Sequence, residues 1–181
     1  FQIAMAHQRL AILDLSDLGN QPMHFEDLVI VYNGEVYNFS EIKAQLESNG
    51  YKFKSHCDTE VILKAFHYWG IEAVNQFIGM FAIAIWNKRE KALWLIRDRI
   101  GIKPLYYFAE PGKFAFGSEL KSLMAFPNFP KEINLEVLHT FLVNGYIPAP
   151  HSIFKRTFKL EPGTYLVYKE GKIEVKKYWS V

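Results

Sequence analysis

The sequence predicts an α+β domain built on antiparallel sheets, and three observations carry that reading. Runs of β-forming residues follow one another in pairs around turn residues, so strands neighbour strands along the chain. The helical patterns sit in clusters of their own, without the strand–helix–strand alternation of a parallel sheet. Half of the 181 residues are hydrophobic and 16% are aromatic, against 22% charged, which supplies a sizeable core and argues against disorder. The length suits one ordinary domain.

The first β signal is Leu28 to Tyr32, running into Asn33-Gly34 and then Glu35 to Tyr37. Asn-Gly between β-formers is a strong hairpin cue, because both residues tolerate positive φ. A helix follows over Ser40 to Ser48, with Ile42 and Leu46 four apart and Gly50 as its stop. A second helix is expected over Thr59 to Trp69, with Val61, Ile62, Ala65, Phe66 and Trp69 on one stripe. Asp58 or Thr59 would cap it and Gly70 would end it. Phe81 to Trp86 and Ala92 to Ile96 then form a hairpin around a charged loop. Tyr106 to Phe108 pairs with Lys113 to Phe116 around Pro111-Gly112. Asn134 is a good N-cap for a helix over Leu135 to Val143. A last hairpin joins Thr164 to Tyr168 with Lys172 to Val175.

Composition excludes several function classes. The 21 basic and 19 acidic residues leave a net charge of +2, scattered along the chain, so nothing argues for nucleic acid or an acidic membrane surface. Apolar runs such as Met80 to Trp86 fall well short of the ~20 residues a bilayer requires. No charged segment followed by an apolar stretch opens the chain, so no signal peptide is read. Cys57 is the single cysteine, which excludes an internal disulfide framework or a CxxC zinc site and suits a reducing, cytoplasmic setting. The chain opens on phenylalanine, so the sequence is expected to start inside a longer product.

Polar residues concentrate in three places that a plain core does not need. In His7 to Asp14, Arg9 lies against an apolar strand and its fork of donors suits a carboxylate; taken alone, a surface arginine at a strand end is the better explanation. In Tyr32 to Asn38, the Asn33 side-chain amide and the Gly34 backbone N–H are suited to a two-donor oxyanion hole, although a bare hairpin turn needs no function. In Ser55 to Glu60, helix capping by itself accounts for Asp58 and Thr59.

Together these segments carry a resemblance. HQRLAILDLS, then QPM, YNGEVYNF, SHCDTEVIL and RDRIGIKPLYY match, in order and approximate spacing, the class II glutamine amidotransferases, and PGTYLVY with the later YW is similar to the end of their glutaminase domain. The likeness covers nearly the whole chain. Relatives acting on phosphoribosyl diphosphate or fructose phosphate share the NGE segment but are less similar at RDRIGIKPLYY, which points to the asparagine synthetase branch.

The resemblance implies a four-layer αββα sandwich of the N-terminal-nucleophile hydrolase type, here without its first strand. It implies attack on the glutamine amide by an N-terminal cysteine thiolate, which would lie before Phe1, with its own α-amine as base. The 181 residues alone are then expected to be inactive. Arg9 would hold the glutamine α-carboxylate, helped by backbone groups at Leu10 and Ile12. Asn33 and Gly34 would donate to the oxyanion, and Glu35 and Asp58 would meet the α-ammonium. Cys57 is internal, lacks a free α-amine and is read as incidental; His7, His56 and His67 have no metal-ligand spacing. No cofactor is implied in this domain. ATP and Mg belong to a C-terminal synthetase domain, whose Ser-Gly-Gly-x-Asp loop does not occur here. Implied partners are glutamine, that domain and a candidate homodimer, and Arg97 to Tyr107 reads as internal support or as the face docked on it. Two other readings stay open: a non-catalytic structural or regulatory domain, or an amidotransferase with a different carboxylate or sugar-precursor acceptor.

Overall fold

A computed structural model describes residues 3–9 and 16–180 of the chain. In chain order its elements are β1 (Met23–Phe25), β2 (Leu28–Val36), α1 (Phe39–Ser48), α2 (Asp58–Trp69), β3 (Gly79–Asn87), β4 (Ala92–Arg97), β5 (Tyr106–Glu110), β6 (Lys113–Gly117), α3 (Leu120–Met124), α4 (Leu135–Asn144), β7 (Thr157–Lys159), β8 (Thr164–Lys169) and β9 (Lys172–Lys177). They build a six-stranded sheet, β1-β2-β3-β4-β8-β9, and a three-stranded sheet, β6-β5-β7, with every pair antiparallel.

The two-residue period of a strand sorts the side chains into layers. From the large sheet, Leu28, Ile30, Tyr32, Phe81, Ile83, Ile85 and Ile96 pack against Ile42 and Leu46 of α1 and Val61, Ile62, Ala65 and Phe66 of α2. Their alternates, Val29, Val31, Ala82, Ala84, Trp86, Leu93 and Leu95, face Leu105, Tyr107, Phe114 and Phe116 of the small sheet. On the far side of that sheet Phe108 packs with Leu123 of α3 and Phe129. Helix, sheet, sheet, helix: this is the expected four-layer αββα order. Because the middle of the large sheet is covered on both faces, β2, β3 and β4 read as largely continuous apolar runs. α4 is capped as expected, with the Asn134 side chain accepting from Glu136 and Val137 N–H, yet it presents Leu135, Leu142 and Val143 to solvent.

Three expected hairpins are present as β3–β4, β5–β6 and β8–β9. The fourth is not. Asn33 and Gly34 make no turn; residues Leu28–Val36 are one strand, in register with β3 from Leu28↔Asn87 to Val36↔Gly79. A nine-residue partner outweighs the local turn preference, since folding back at Gly34 would forfeit the ladder and two-sided burial. Gly34 is needed here for another reason: its φ is +151°, and a Cβ on it would sit 2.1 Å from the Met80 carbonyl oxygen.

Two further expectations are corrected. α2 starts at Asp58 with Cys57 at the cap position and no side-chain cap bond. The Asp58 carboxylate turns instead to the Tyr32 hydroxyl and the Val36 N–H, and the Thr59 hydroxyl accepts from Gln21 Nε2. Residues 3–9 form no strand beside Arg9, while the rest of the segment, including Leu10 and Ile12, lies outside the described residues. The short elements β1, β7 and α3 were not anticipated by the sequence patterns.

The Arg97 to Tyr107 segment is a buried knot with an exposed rim. Arg97 donates to the carbonyls of Lys103 (2.9 Å), Leu160 (2.6 Å) and Gly101 (2.8 Å). Asp98, fully buried, accepts from the N–H groups of Phe81 (3.2 Å), Ile102 (2.9 Å) and Lys103 (2.9 Å). The pair pins the loop to both sheets, while the Ile100 and Ile102 side chains stay exposed. Asp98→Ala strands three buried or half-buried N–H groups at roughly 1–3 kcal/mol each. Urea unfolding should therefore show a loss of about 3 kcal/mol or more, whereas a loss under ~1 kcal/mol would refute the knot's structural role.

Candidate active site

Hydrogen-bond parity along β2 creates an unusual edge. Lys88 N–H donates to Asp27 O and Tyr37 N–H to Ile78 O, each at 2.8 Å, so odd-numbered residues between them exchange bonds with β3. Even-numbered residues point the other way. Leu28 and Ile30 meet β1, but β1 ends its pairing there, leaving the N–H groups of Tyr32, Gly34 and Val36 on an uncovered edge. Tyr32 N–H donates to Gln21 Oε1 at 2.6 Å and Val36 N–H to Asp58 Oδ2 at 3.1 Å. The Gly34 N–H lies between those two, and the ladder gives it no partner.

Asp58 occupies the first turn of α2, where a helix favours an anion. Its carboxylate also accepts from the Tyr32 hydroxyl at 2.7 Å. Burial pushes its pKa up, Tyr32 and the backbone donors oppose that, and nearby Glu35 adds to it; the net direction is upward. Tyr32 is pushed up in turn, by burial and then by Asp58. Two carboxyl groups in mutual repulsion at a partly buried site make a place that a cation relieves.

Asn33 shares a strand face with Val29 and Val31, so it projects toward the small sheet, where its Nδ2 donates to Ser118 Oγ at 3.2 Å. Arg9 donates from Nη1 to the Ser16 carbonyl at 3.2 Å, and its guanidinium lies against Gly19. A Cβ on Gly19 would stand 2.3 Å from Arg9 Nη2, so the glycine makes room for it. Arg9, Asn33, Gly34, Glu35 and Asp58 all line one open cleft of about 1770 Å³, larger than the roughly 300–1,000 Å³ of an ordinary small-molecule pocket. Gln21 and Ser118 line it too; sequence reasoning assigned neither a role, since Gln21 entered only as part of the QPM motif and Ser118 belongs to none.

The residues set aside as incidental behave variously. Cys57 lines the same cleft but is buried, with its sulfur 3.1 Å from Ser55 Oγ. His7 also lines it; burial and then Arg9 lower its pKa, and its Nδ1 has no hydrogen-bond partner among the described residues. His67 Nδ1 pairs with the Tyr51 hydroxyl at 2.7 Å, away from the cleft. Among the described residues no group of His, Cys, Asp and Glu is arranged to hold a metal ion, and no helix is long and apolar enough to cross a membrane.

Comparisons with known proteins identify the family and the fold. The chain is 39% identical to the putative asparagine synthetase [glutamine-hydrolyzing] 2 of Methanocaldococcus jannaschii, across 99% of this chain and 38% of the relative. It is 38% identical to asparagine synthetase [glutamine-hydrolyzing] 1 of Bacillus subtilis, across 98% of this chain and 28% of that protein. The chain thus spans well under half the length of these curated relatives. Among solved structures, the glutamine phosphoribosylpyrophosphate amidotransferase of B. subtilis superposes on 96% of this chain and 34% of its own, with a TM-score of 0.68 at 19% identity, a likeness of fold. The glutamine aminotransferase class-II domain protein of Silicibacter pomeroyi does so at 0.55 and 13%, over 90% of this chain and 72% of its own. A family model described as the glutamine amidotransferase domain matches residues 1–179, and the chain belongs to that family.

Proposed function

We propose that this domain is the glutaminase half of an asparagine synthetase-like enzyme. It hydrolyses the side-chain amide of glutamine and passes ammonia to a C-terminal domain that binds ATP and Mg, where an activated aspartate takes it up to give asparagine. The observation that carries the reading is the single cleft in which a cationic fork, two carboxyl groups and an unpaired strand-edge N–H converge. Free glutamine carries a carboxylate, an ammonium and a neutral amide, and those groups answer each of them.

Arg9 takes the α-carboxylate, with Leu10 and Ile12 contributing backbone groups, and Asp58 and Glu35 take the α-ammonium. The nucleophile is the thiolate of an N-terminal cysteine outside these 181 residues, since Cys57 is internal and packed against Ser55. Attack forms a C–S bond and places negative charge on the amide oxygen, where Asn33 Nδ2–H and Gly34 N–H donate to it. Collapse breaks the C–N bond, the leaving nitrogen takes a proton and departs as ammonia, and water then hydrolyses the thioester to glutamate.

The roles separate kinetically in the complete enzyme. Asn33→Ala should lower kcat for glutamine hydrolysis by roughly 10²–10³ with KM little changed. Arg9→Ala should instead raise KM by roughly 10–100-fold, the worth of a charge-assisted bond. An Asn33→Ala enzyme at full rate, or an Arg9→Ala enzyme with unchanged KM, would sink the respective assignment. Gly19→Ala pushes the flexible end of Arg9 aside, so KM should rise several-fold to ~10-fold while the unfolding midpoint barely moves; an unchanged KM would mean that Arg9 does not bind there.

Acidity supplies an independent test. Asp58 must be ionised to hold an ammonium, and its pKa is raised. Glutamine affinity should therefore decline as pH falls through a midpoint above the ordinary aspartate value of ~3.9. Calorimetric titration checks this: Asp58→Asn should bind weakly with that pH dependence gone, and a wild-type affinity flat down to pH ~4 would remove Asp58 from the site.

A further inference from the structure

An oxyanion donor built on an asparagine side chain has a positional problem. The last torsion of Asn is soft and roughly two-fold, and its oxygen and nitrogen ends are nearly the same shape. Presenting the oxygen end to a developing anion would repel it. Something must therefore hold the amide with its nitrogen toward the cleft. We infer that Ser118 does this and is a positioning residue for the hydrolysis, an inference that rests on the oxyanion role proposed above for Asn33.

The bond is Asn33 Nδ2–H to Ser118 Oγ at 3.2 Å, between residues 85 apart in sequence, one on the large sheet and the other just beyond the end of the small one. One N–H anchored there fixes the plane of the amide and leaves the second N–H, about 120° away, for the cleft. Ser118 is itself held firmly. It follows Gly117, the last residue of β6, which pairs with Tyr106 of β5. Ser122, two residues into the turn's helix, donates its hydroxyl and its N–H to the Glu119 carbonyl at 2.6 and 3.2 Å. A Cβ at position 117 would fall 2.3 Å from Ser122 Oγ, so only glycine lets this turn close so tightly. Leu123, 1% exposed, anchors α3 to Phe108 and Phe129 behind it. The serine thus stands on a rigid support from the small sheet and reaches across to the strand of the large sheet that carries the chemistry. Ser118 and Asn33 line the same cleft.

The test is a double-mutant cycle on glutamine hydrolysis by the complete enzyme, with Ser118→Ala (and Ser118→Gly as a second truncation), Asn33→Ala and the double variant, each checked for an unchanged melting temperature. Ser118→Ala should lower kcat about 10-fold, a fraction of the loss from deleting the donor, with KM within about twofold. In the Asn33→Ala background the same change should cost nothing further, because the group it positions is gone. An equal loss in both backgrounds, or an effect on KM alone, overturns the proposal. A slow Asn33→Ala enzyme beside a full-rate Ser118→Ala enzyme overturns this inference and leaves the oxyanion assignment standing. A full-rate Asn33→Ala enzyme overturns both.

Discussion

A backbone N–H at the edge of a sheet must find an acceptor, and the second half of β2 is where that requirement shapes this molecule. β3 satisfies the odd-numbered residues over the strand's whole length, while β1 covers the even-numbered ones only at Leu28 and Ile30. Beyond β1 the chain supplies side chains instead of a strand: the Gln21 amide for Tyr32 and the Asp58 carboxylate for Val36. Between them one N–H, that of Gly34, remains for a ligand. The candidate site is the remainder of an incomplete ladder, and its neighbours are the groups recruited to patch the rest of it.

This arrangement depends on β2 and β3 staying in close register, which Gly34 permits by letting the Met80 carbonyl approach where a Cβ would stand. The register is locked from the other side by Asp98, which accepts from Phe81 N–H directly opposite Gly34 in the ladder. Tyr178 closes the knot by donating to the Arg97 carbonyl at 2.7 Å. Buried polar groups of this kind are costly unless every member is bonded, and here both charged side chains are bonded three times over. The RDRIGIKPLYY segment therefore supports β2 through its ladder partner, and its Lys103 and Leu105 line the cleft.

Much of this was legible in sequence, and the failures have physical causes. The β-forming runs of β3, β4, β5, β6 and β8 announced themselves because they come in pairs around short turns. The Asn33-Gly34 dipeptide misled, since its turn preference is local and the nine-residue partner lies more than forty residues away. Asp58 had a sufficient local explanation as a cap, and only the approach of Tyr32 and Val36 from 26 and 22 residues away gives its carboxylate a different task. β1 and β7, three residues each, are too short to show a period. Ser118 carries no signal at all until two sheets bring it to Asn33.

The same accounting says which residues report cleanly on chemistry. Removing the Asp58 carboxylate takes away the group proposed to bind the ammonium, but it also strands the Val36 N–H and the Tyr32 hydroxyl in a buried setting, so stability falls with it. The asparagine substitution is the milder probe, because its side-chain oxygen still accepts from one of those donors while the charge is lost. The side chains of Arg9 and Asn33 are different: one lies against Gly19 and donates to the Ser16 carbonyl, the other donates to the Ser118 hydroxyl, and neither bond is to a strand backbone. The fold has thus placed the Asp58 carboxylate within its own hydrogen-bond network and left the Arg9 and Asn33 side chains largely outside it. That division is what allows a rate effect at Asn33 to be read as catalysis, and requires an effect at Asp58 to be read against the unfolding curve.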